Sequence, residues 1–225
     1  MIRIVNLYPD LLGTYGDSGN ALVLYERLRR REIATELIEV HHGDEVPPAA
    51  LYLLGGGEDG PQRMACELLK KADLAGRAMD GSFVFGVCAG LQLLGTTFSV
   101  EGNDQFEGLG LIDAVTTRGT ERSVGDLVTL VDGRPLLGFE NHGGVTTLSS
   151  SVSPLGTVAK GRGNNGALDG VRTPRVWATY AHGPVMALNP WFADELLSAV
   201  VGEELEPLAS IADTLYHHRC KELGL

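Results

Sequence analysis

Apolar positions along this chain follow two rhythms. Through the first hundred residues, short apolar-rich runs alternate with longer stretches in which apolar residues recur at helical spacing. Ile2–Leu7, Thr35–Val40 and Leu51–Leu54 read as strands, and residues 82–87 as a further one. Residues 20–31 place Ala21, Leu22, Leu24, Tyr25 and Leu28 on one helical face, behind the N-cap residues of Asp17-Ser18-Gly19-Asn20. Residues 61–79 predict one long helix with proline at its start, and residues 44–48 a loop. Strands alternating with helices of this length imply a parallel sheet with right-handed crossovers.

After residue 100 the pattern shortens. Residues 108–112, 126–130 and 136–139 read as brief strands divided by turn residues, which predicts antiparallel pieces added to one end of the sheet. Residues 175–180 return to a core strand, and helices fit Pro190–Val201 and residues 207–219. The glycine-rich stretch 161–170 is the best candidate for a mobile surface loop. With no internal repeat and no long linker, the 225 residues predict a single α/β domain: a mostly parallel central sheet flanked by helices, with added antiparallel strands.

The most informative junction is the fourth strand with its sequel, Ser82-Phe83-Val84-Phe85-Gly86-Val87-Cys88-Ala89-Gly90-Leu91-Gln92. A buried strand ending in Gly-x-Cys-x-Gly, with an apolar helix directly after it, is the cysteine form of a nucleophile elbow. Gly86 and Gly90 remove the Cβ atoms that would collide in so sharp a turn. The first helical turn, with unpaired N–H groups and partial positive charge, favours a thiolate at Cys88 and attack on a carbonyl carbon. The plain alternative is a buried cysteine filling the core, but core packing needs no glycine on both sides.

Such a nucleophile needs a base and an oxyanion site. His41-His42 and His217-His218 sit near element ends and read as solvated surface pairs. His142 follows a short strand, and His182 stands where the 175–180 strand breaks at Gly183-Pro184. Ligands of open α/β sheets bind beyond the carboxyl ends of the strands, so His182 shares a rim with Cys88 and is preferred as the base over His142. Gly55-Gly56-Gly57 ends another strand on that rim; it is either an oxyanion-binding turn or a plain strand ending.

Composition narrows the partners. A net charge of −11 argues against nonspecific nucleic-acid binding and against docking on anionic lipid through a basic face. No apolar run is long enough to span a bilayer, and the N-terminus reads as a strand without the features of a signal peptide. Three cysteines without a Cys-x-x-Cys pair suit a reducing, cytoplasmic setting. No P-loop sequence occurs, residues 161–166 lack the strand-before, helix-after setting of a dinucleotide fingerprint, and no zinc-like spacing of Cys and His is present.

Taken in order along nearly the whole chain, these landmarks resemble the class I (triad-type) glutamine amidotransferases, in the branch shared with cobyric acid synthase glutaminase domains. Gly86-x-Cys88-x-Gly90-x-Gln92 is similar to the nucleophile segment, and Tyr180-x-His182-Gly183-Pro184 to the histidine segment. Tyr15-Gly16-Asp17-Ser18-Gly19-Asn20, Leu54-Gly55-Gly56-Gly57, Glu107-Gly108-Leu109-Gly110, Arg122-Ser123-Val124-Gly125-Asp126 and Gly138-Phe139-Glu140-Asn141-His142-Gly143-Gly144 bring the resemblance closest to the GatD-type glutaminase subunits of lipid II isoglutaminyl synthases, which work with a Mur-ligase-like subunit, MurT. The resemblance implies a flavodoxin-like α/β fold and hydrolysis of L-glutamine through a Cys88 thioester, with His182 as base. It implies oxyanion contacts from the N–H groups of Gly57 and Ala89, and Arg122 on the substrate α-carboxylate. Gln92 is a further candidate contact to the bound glutamine.

Many class I enzymes carry a glutamate two residues after the histidine; here that residue is Pro184, as in the cobyric-acid branch. Asp17, beyond the first strand on the same rim, is one candidate to orient His182, with a backbone carbonyl or the partner subunit as others. The chain itself is expected to hold no cofactor or metal. ATP is expected on the partner of a heterodimer, which would reach lipid II on this chain's behalf. Glutaminase work for a cobyrinate-type or other amidation is the competing enzyme reading, and a redox-sensing or scaffolding protein is the competing reading of another class.

Overall fold

In the computed structural model of the chain, which describes residues 1–100 and 104–225, the first half comprises β1 (Ile2–Leu7), α1 (Pro9–Leu12), α2 (Gly19–Arg29), β2 (Thr35–Val40), β3 (Leu51–Leu54), α3 (Asp59–Lys71), α4 (Leu74–Met79), β4 (Phe83–Val87) and α5 (Ala89–Leu94). The second half adds β5 (Thr97–Ser99), β6 (Gln105–Glu107), β7 (Ala114–Val131), β8 (Arg134–Leu148), β9 (Gly156–Lys160), β10 (Leu168–Asp169), β11 (Val171–Arg172) and β12 (Val176–Thr179). The helices α6 (Val185–Leu188), α7 (Pro190–Val201) and α8 (Ile211–Glu222) complete the chain.

The first sheet runs β11-β12-β4-β3-β1-β2, parallel throughout except for the antiparallel edge strand β11. Every residue of β3, β4 and β12 is buried. That is why these strands are continuous apolar runs rather than alternating ones: a parallel sheet flanked by helices has no solvated face. Each large apolar side chain removed from water here stabilises by about 2 kcal/mol. Four neighbouring strands, β12, β4, β3 and β1, end on one rim, and the segments leaving them carry His182, Cys88, the Gly55–Gly57 turn and Asp17 respectively.

The antiparallel strands form a second sheet of their own instead of extending one end of the first. It runs β10-β9-β7-β5-β6, with β8 paired to β7. Its spine is the β7–β8 hairpin, closed by Asp132-Gly133, both at positive φ (50° and 82°), the left-handed pair that a two-residue turn matched to strand twist requires. The register of the hairpin breaks between Arg118 and Ser123. Asp169 ties the sheets together: wholly buried, it accepts from Thr129 Oγ1 at 3.1 Å in β7, Thr179 Oγ1 at 2.6 Å in β12 and the Tyr180 N–H at 3.1 Å. Burial raises its carboxyl above the ordinary value, against the pull of those donors.

Several expected elements differ. The long helix 61–79 is broken: Asp73 adopts φ 52°, and its carboxylate accepts from the Gly76 N–H at 3.1 Å, so it starts a new helix, α4. Residues 108–112 are a loop, not a strand. The N–H groups of Leu109 and Ile112 satisfy the Leu93 and Leu94 carbonyls at 2.8 and 3.1 Å, which the end of α5 leaves unpaired. The last helix begins later than residue 207, behind a capping box made by Ser210 and Asp213. Leu22 does not join the buried face of α2; it is 54% exposed. The 161–170 stretch is not a loose surface loop. Glu140 accepts from the Arg162 and Gly163 N–H groups at 2.8 and 2.9 Å, and the Asn164 side chain, itself buried, bonds Gly170 through both its ends.

Candidate active site

Strand β4 leaves the sheet at Val87, and the next residue turns the chain in a conformation few side chains adopt: Cys88 has φ 52° and ψ −104°. Strain of that kind, of order 1–3 kcal/mol, persists only where the surroundings enforce it. They do. The Cys88 N–H donates to Thr179 O at 2.9 Å and the Gly90 N–H to Gly55 O at 3.2 Å, binding the turn to both neighbouring strands. A Cβ on Gly90 would stand 2.6 Å from Leu54 O, and one on Gly86 2.9 Å from the Gly90 carbonyl carbon. The turn therefore closes only with glycine at both places.

The sulfur does not stand exposed above the sheet as an elbow nucleophile is expected to. Cys88 is only 6% exposed and lines a small cavity. Burial, then the charge of Asp17, push its thiol up to about 12, while the Ala89 N–H and Arg122 pull it down. The expected thiolate at the helix start is thus overruled: α5 spans six residues, and its one N–H to the sulfur does not offset desolvation. At rest Cys88 is a protonated thiol.

His182 follows β12, immediately beside the elbow strand in the sheet. Its backbone bridges Phe139 through bonds of 2.8 and 3.2 Å, and its ring is wedged between Tyr15, 4.8 Å away, and Phe139, 5.4 Å away. Nδ1 lies 2.8 Å from Asp17 Oδ2, which also accepts from the Gly56 N–H at 2.8 Å; both side chains are fully buried. A carboxylate facing Nδ1 fixes the proton there and leaves the lone pair on Nε2. Nε2 is buried and has no hydrogen-bond partner among the described residues. The geometry is that of an oriented imidazole with its basic nitrogen unspent.

The cavity over Cys88 measures about 240 Å³, below the roughly 300–1,000 Å³ of sites for drug-sized ligands. Gly57 and Glu58 line it from the β3 side, and Arg118, Arg122 and residues 141–144 from the hairpin. Its lining is strongly polar and carries both signs of charge, which suits a small zwitterion better than an apolar ligand. Gln92 also lines it, but much of its amide is already engaged: Oε1 accepts from Gln62 at 2.9 Å and Nε2 donates to Tyr180 Oη at 3.2 Å. One amide hydrogen and one lone pair remain for a ligand. A larger groove of about 540 Å³ lies along α3 and β6, where Cys66 contributes only a buried thiol bonded to Glu107 O at 3.4 Å.

His142 lines the same cavity but cannot serve as a base in this geometry. Its Nδ1 faces Gly144 O at 2.9 Å and its Nε2 faces Glu140 Oε2 at 3.1 Å, while the ring stacks 3.9 Å from Tyr180. Both ring nitrogens are thus engaged with oxygen atoms of the protein, and neither is left free toward the thiol. The remaining histidines, His41, His42, His217 and His218, are exposed, as their sequence positions suggest.

Sequence reasoning assigned no role to Glu58, Arg118, Gln62 or Asn141, which the fold brings to the cavity. Glu58 directly follows the glycine turn on the expected rim, a signal that was available. Asn141 stands inside the landmark of residues 138–144, whereas Arg118 had no signal, because only the hairpin pairing brings it over the cavity.

Residues 3–190 match the model of the CobB/CobQ-like glutamine amidotransferase domain. The GatD subunit of lipid II isoglutaminyl synthase (glutamine-hydrolyzing) from Staphylococcus aureus strain N315 is 32% identical over 203 residues, covering 87% of this chain and 83% of the relative. Its counterpart in Streptococcus pneumoniae R6 is 31% identical, covering 89% and 80%. Among solved structures, that of a glutamine amidotransferase superposes with a TM-score of 0.58 at 23% identity, covering 88% of this chain and 98% of the other, a likeness of fold. The chain belongs to the CobB/CobQ-like glutamine amidotransferase family, as the ordered landmarks of its sequence suggest.

Proposed function

From that family membership, we propose that this chain is the glutamine-hydrolysing subunit of a lipid II isoglutaminyl synthase, supplying ammonia for amidation. The observations that carry the reading are a thiol lining a small charged cavity and, at the end of the neighbouring strand, an imidazole anchored through Nδ1 to a buried aspartate. The two GatD relatives support the choice of subunit.

The Cys88 sulfur attacks the side-chain amide carbon of L-glutamine as its proton passes to His182 Nε2. Because the thiol is protonated at rest, attack and proton transfer are coupled rather than sequential. The tetrahedral oxyanion is held by the N–H groups of Gly57 and Ala89, and the C–N bond breaks as His182 returns the proton to the departing nitrogen. Ammonia leaves, and a γ-glutamyl thioester remains on Cys88. Water, activated by the same imidazole, cleaves the thioester to glutamate and restores the thiol. Asp17 keeps Nδ1 protonated and stabilises the imidazolium. Arg122 holds the α-carboxylate, and Gln92 contributes its remaining hydrogen-bonding capacity.

The ammonia passes to a Mur-ligase-like subunit of the MurT type, in a heterodimer, which binds ATP and activates the α-carboxylate of the stem-peptide D-glutamate of lipid II. The product is D-isoglutamine. Among the described residues no helix is long and apolar enough to cross a membrane, so in this scheme the partner and its lipid-linked substrate supply the membrane contact in the cytoplasm. A redox-sensing role fits poorly, because sensor thiols are exposed and acidic whereas Cys88 is buried with its thiol raised.

The test is release of glutamate from glutamine by the chain purified with its partner, and amidation of lipid II with glutamine as nitrogen donor. Cys88→Ala should abolish both while leaving amidation by added ammonia intact. Glutamate release that falls only a few-fold in that variant excludes the thioester route. Activity on a cobyrinate-type acceptor instead of lipid II would assign the other branch of the family.

A further inference from the structure

Arg122 is exposed and stands on β7 within the register break of the hairpin, between Arg118 and Ser123, a setting in which a long side chain has wide rotamer freedom. Yet it is held. Its Nε donates to Asn141 Oδ1 at 2.5 Å and its Nη2 to the Tyr15 hydroxyl at 3.3 Å. The Asn141 Nδ2 donates to the same hydroxyl at 2.7 Å, closing a three-residue ring of bonds. These contacts use Nε and one Nη2 proton, and leave Nη1 and the second Nη2 proton, the pair able to fork a carboxylate.

Tyr15 belongs to another part of the chain, the loop that also carries Asp17. It takes φ 65°, a conformation rare for a side chain of its size, and lays its ring edge-on against His182 at 4.8 Å and against Phe139 at 5.7 Å. One side chain therefore touches the arginine with its hydroxyl and the imidazole with its ring.

We propose that Tyr15 and Asn141 are positioning residues that pre-organise Arg122 for the glutamine α-carboxylate and, through Tyr15, link that subsite to the orientation of His182. The inference rests on the glutaminase reading and deepens it: neither residue touches the reacting atoms, and each acts through a group that touches substrate. Pre-ordering the guanidinium removes part of the entropy lost on binding, so the hydroxyl should act on glutamine affinity and the ring on turnover.

Steady-state glutaminase kinetics on the full chain with its partner subunit separate the two contributions. Tyr15→Phe should raise KM for glutamine about tenfold with kcat within about twofold, and Asn141→Ala should behave alike. Tyr15→Ala, which also removes the ring, should in addition lower kcat by about tenfold. In an Arg122→Ala background Tyr15→Phe should add no further rise in KM, because its target is gone. An unchanged KM in Tyr15→Phe, or the same rise with and without Arg122, overturns the proposal, as does an equal kcat in Tyr15→Phe and Tyr15→Ala. No glutamine turnover by the wild-type complex would bring down the glutaminase reading and this inference together, whereas normal wild-type turnover with an indifferent Tyr15→Phe removes this inference alone.

Discussion

Replacing Asp17 by asparagine separates the charge of the orienting group from its hydrogen bonds, and the structure sets what each is worth. A single oxygen, Oδ2, serves both the Gly56 N–H and His182 Nδ1, each at 2.8 Å, while Oδ1 is buried without a partner. Asparagine can place its carbonyl oxygen at the Oδ2 position and keep both bonds. Its NH₂ then falls where Oδ1 was, buried and unsatisfied, at about 1–3 kcal/mol of folding stability. What disappears is the negative charge that stabilises the imidazolium formed during attack. A hydrogen bond to a charged group exceeds a neutral one by roughly 1–2 kcal/mol, and the lost charge acts on the transition state besides; kcat should fall about 100-fold, or about 2.7 kcal/mol. The flipped amide would set NH₂ against the Gly56 N–H and push the histidine proton onto Nε2, leaving no base and a loss nearer 10⁴-fold. Asp17 lies outside the cavity lining, so KM should hardly move. Coupled detection of glutamate gives kcat and KM, and urea melts give the stability. A kcat within about threefold of wild type in both Asp17→Asn and Asp17→Ala would refute the orienting role.

Other consequences are as direct. Since the Cys88 thiol is pushed up to about 12, its alkylation by iodoacetamide in the substrate-free protein should keep rising from pH 7 to 10; a plateau below about pH 9 would mean an unperturbed thiol. The sign also touches stability: the folded state holds this proton more tightly than the unfolded chain, so Cys88's contribution is complete below about pH 8.5 and is lost as pH climbs toward the raised value, a decline that Cys88→Ala should flatten in pH-dependent melts. Gly90→Ala places a Cβ 2.6 Å from Leu54 O and should cost about 2–3 kcal/mol in urea unfolding while displacing the elbow enough to lose turnover; wild-type stability would contradict the packing argument. Asp169→Ala strands two threonine hydroxyls and the Tyr180 N–H and should cost about 3 kcal/mol, read from the same melts, with no shift in the midpoint as the disproof.

Much of this protein is determined by local rules that a sequence displays openly. The strands β1, β2 and β3 keep the bounds read from the chain, and β3, buried along its whole length, is apolar without interruption, as a strand covered on both faces must be. The elbow is legible because two glycines around a cysteine satisfy a steric demand made by the immediate turn. Parallel strands share a rim whatever their order, so Cys88, His182 and the Gly55–Gly57 turn could be assigned to one edge before any coordinates. The other decisions belong to contacts between distant segments. Choosing His182 over His142 on firm grounds takes the tertiary contacts that occupy both nitrogens of one ring and leave Nε2 of the other unspent. The protonated state of Cys88 reflects how much protein surrounds it, and no window of residues reports burial. Asp17 meets its histidine across 165 positions of chain, and Tyr15 reaches Arg122 across 107. Hydrogen bonds of that span leave no period or spacing in a sequence; they exist only once the sheet and the hairpin have folded over one another.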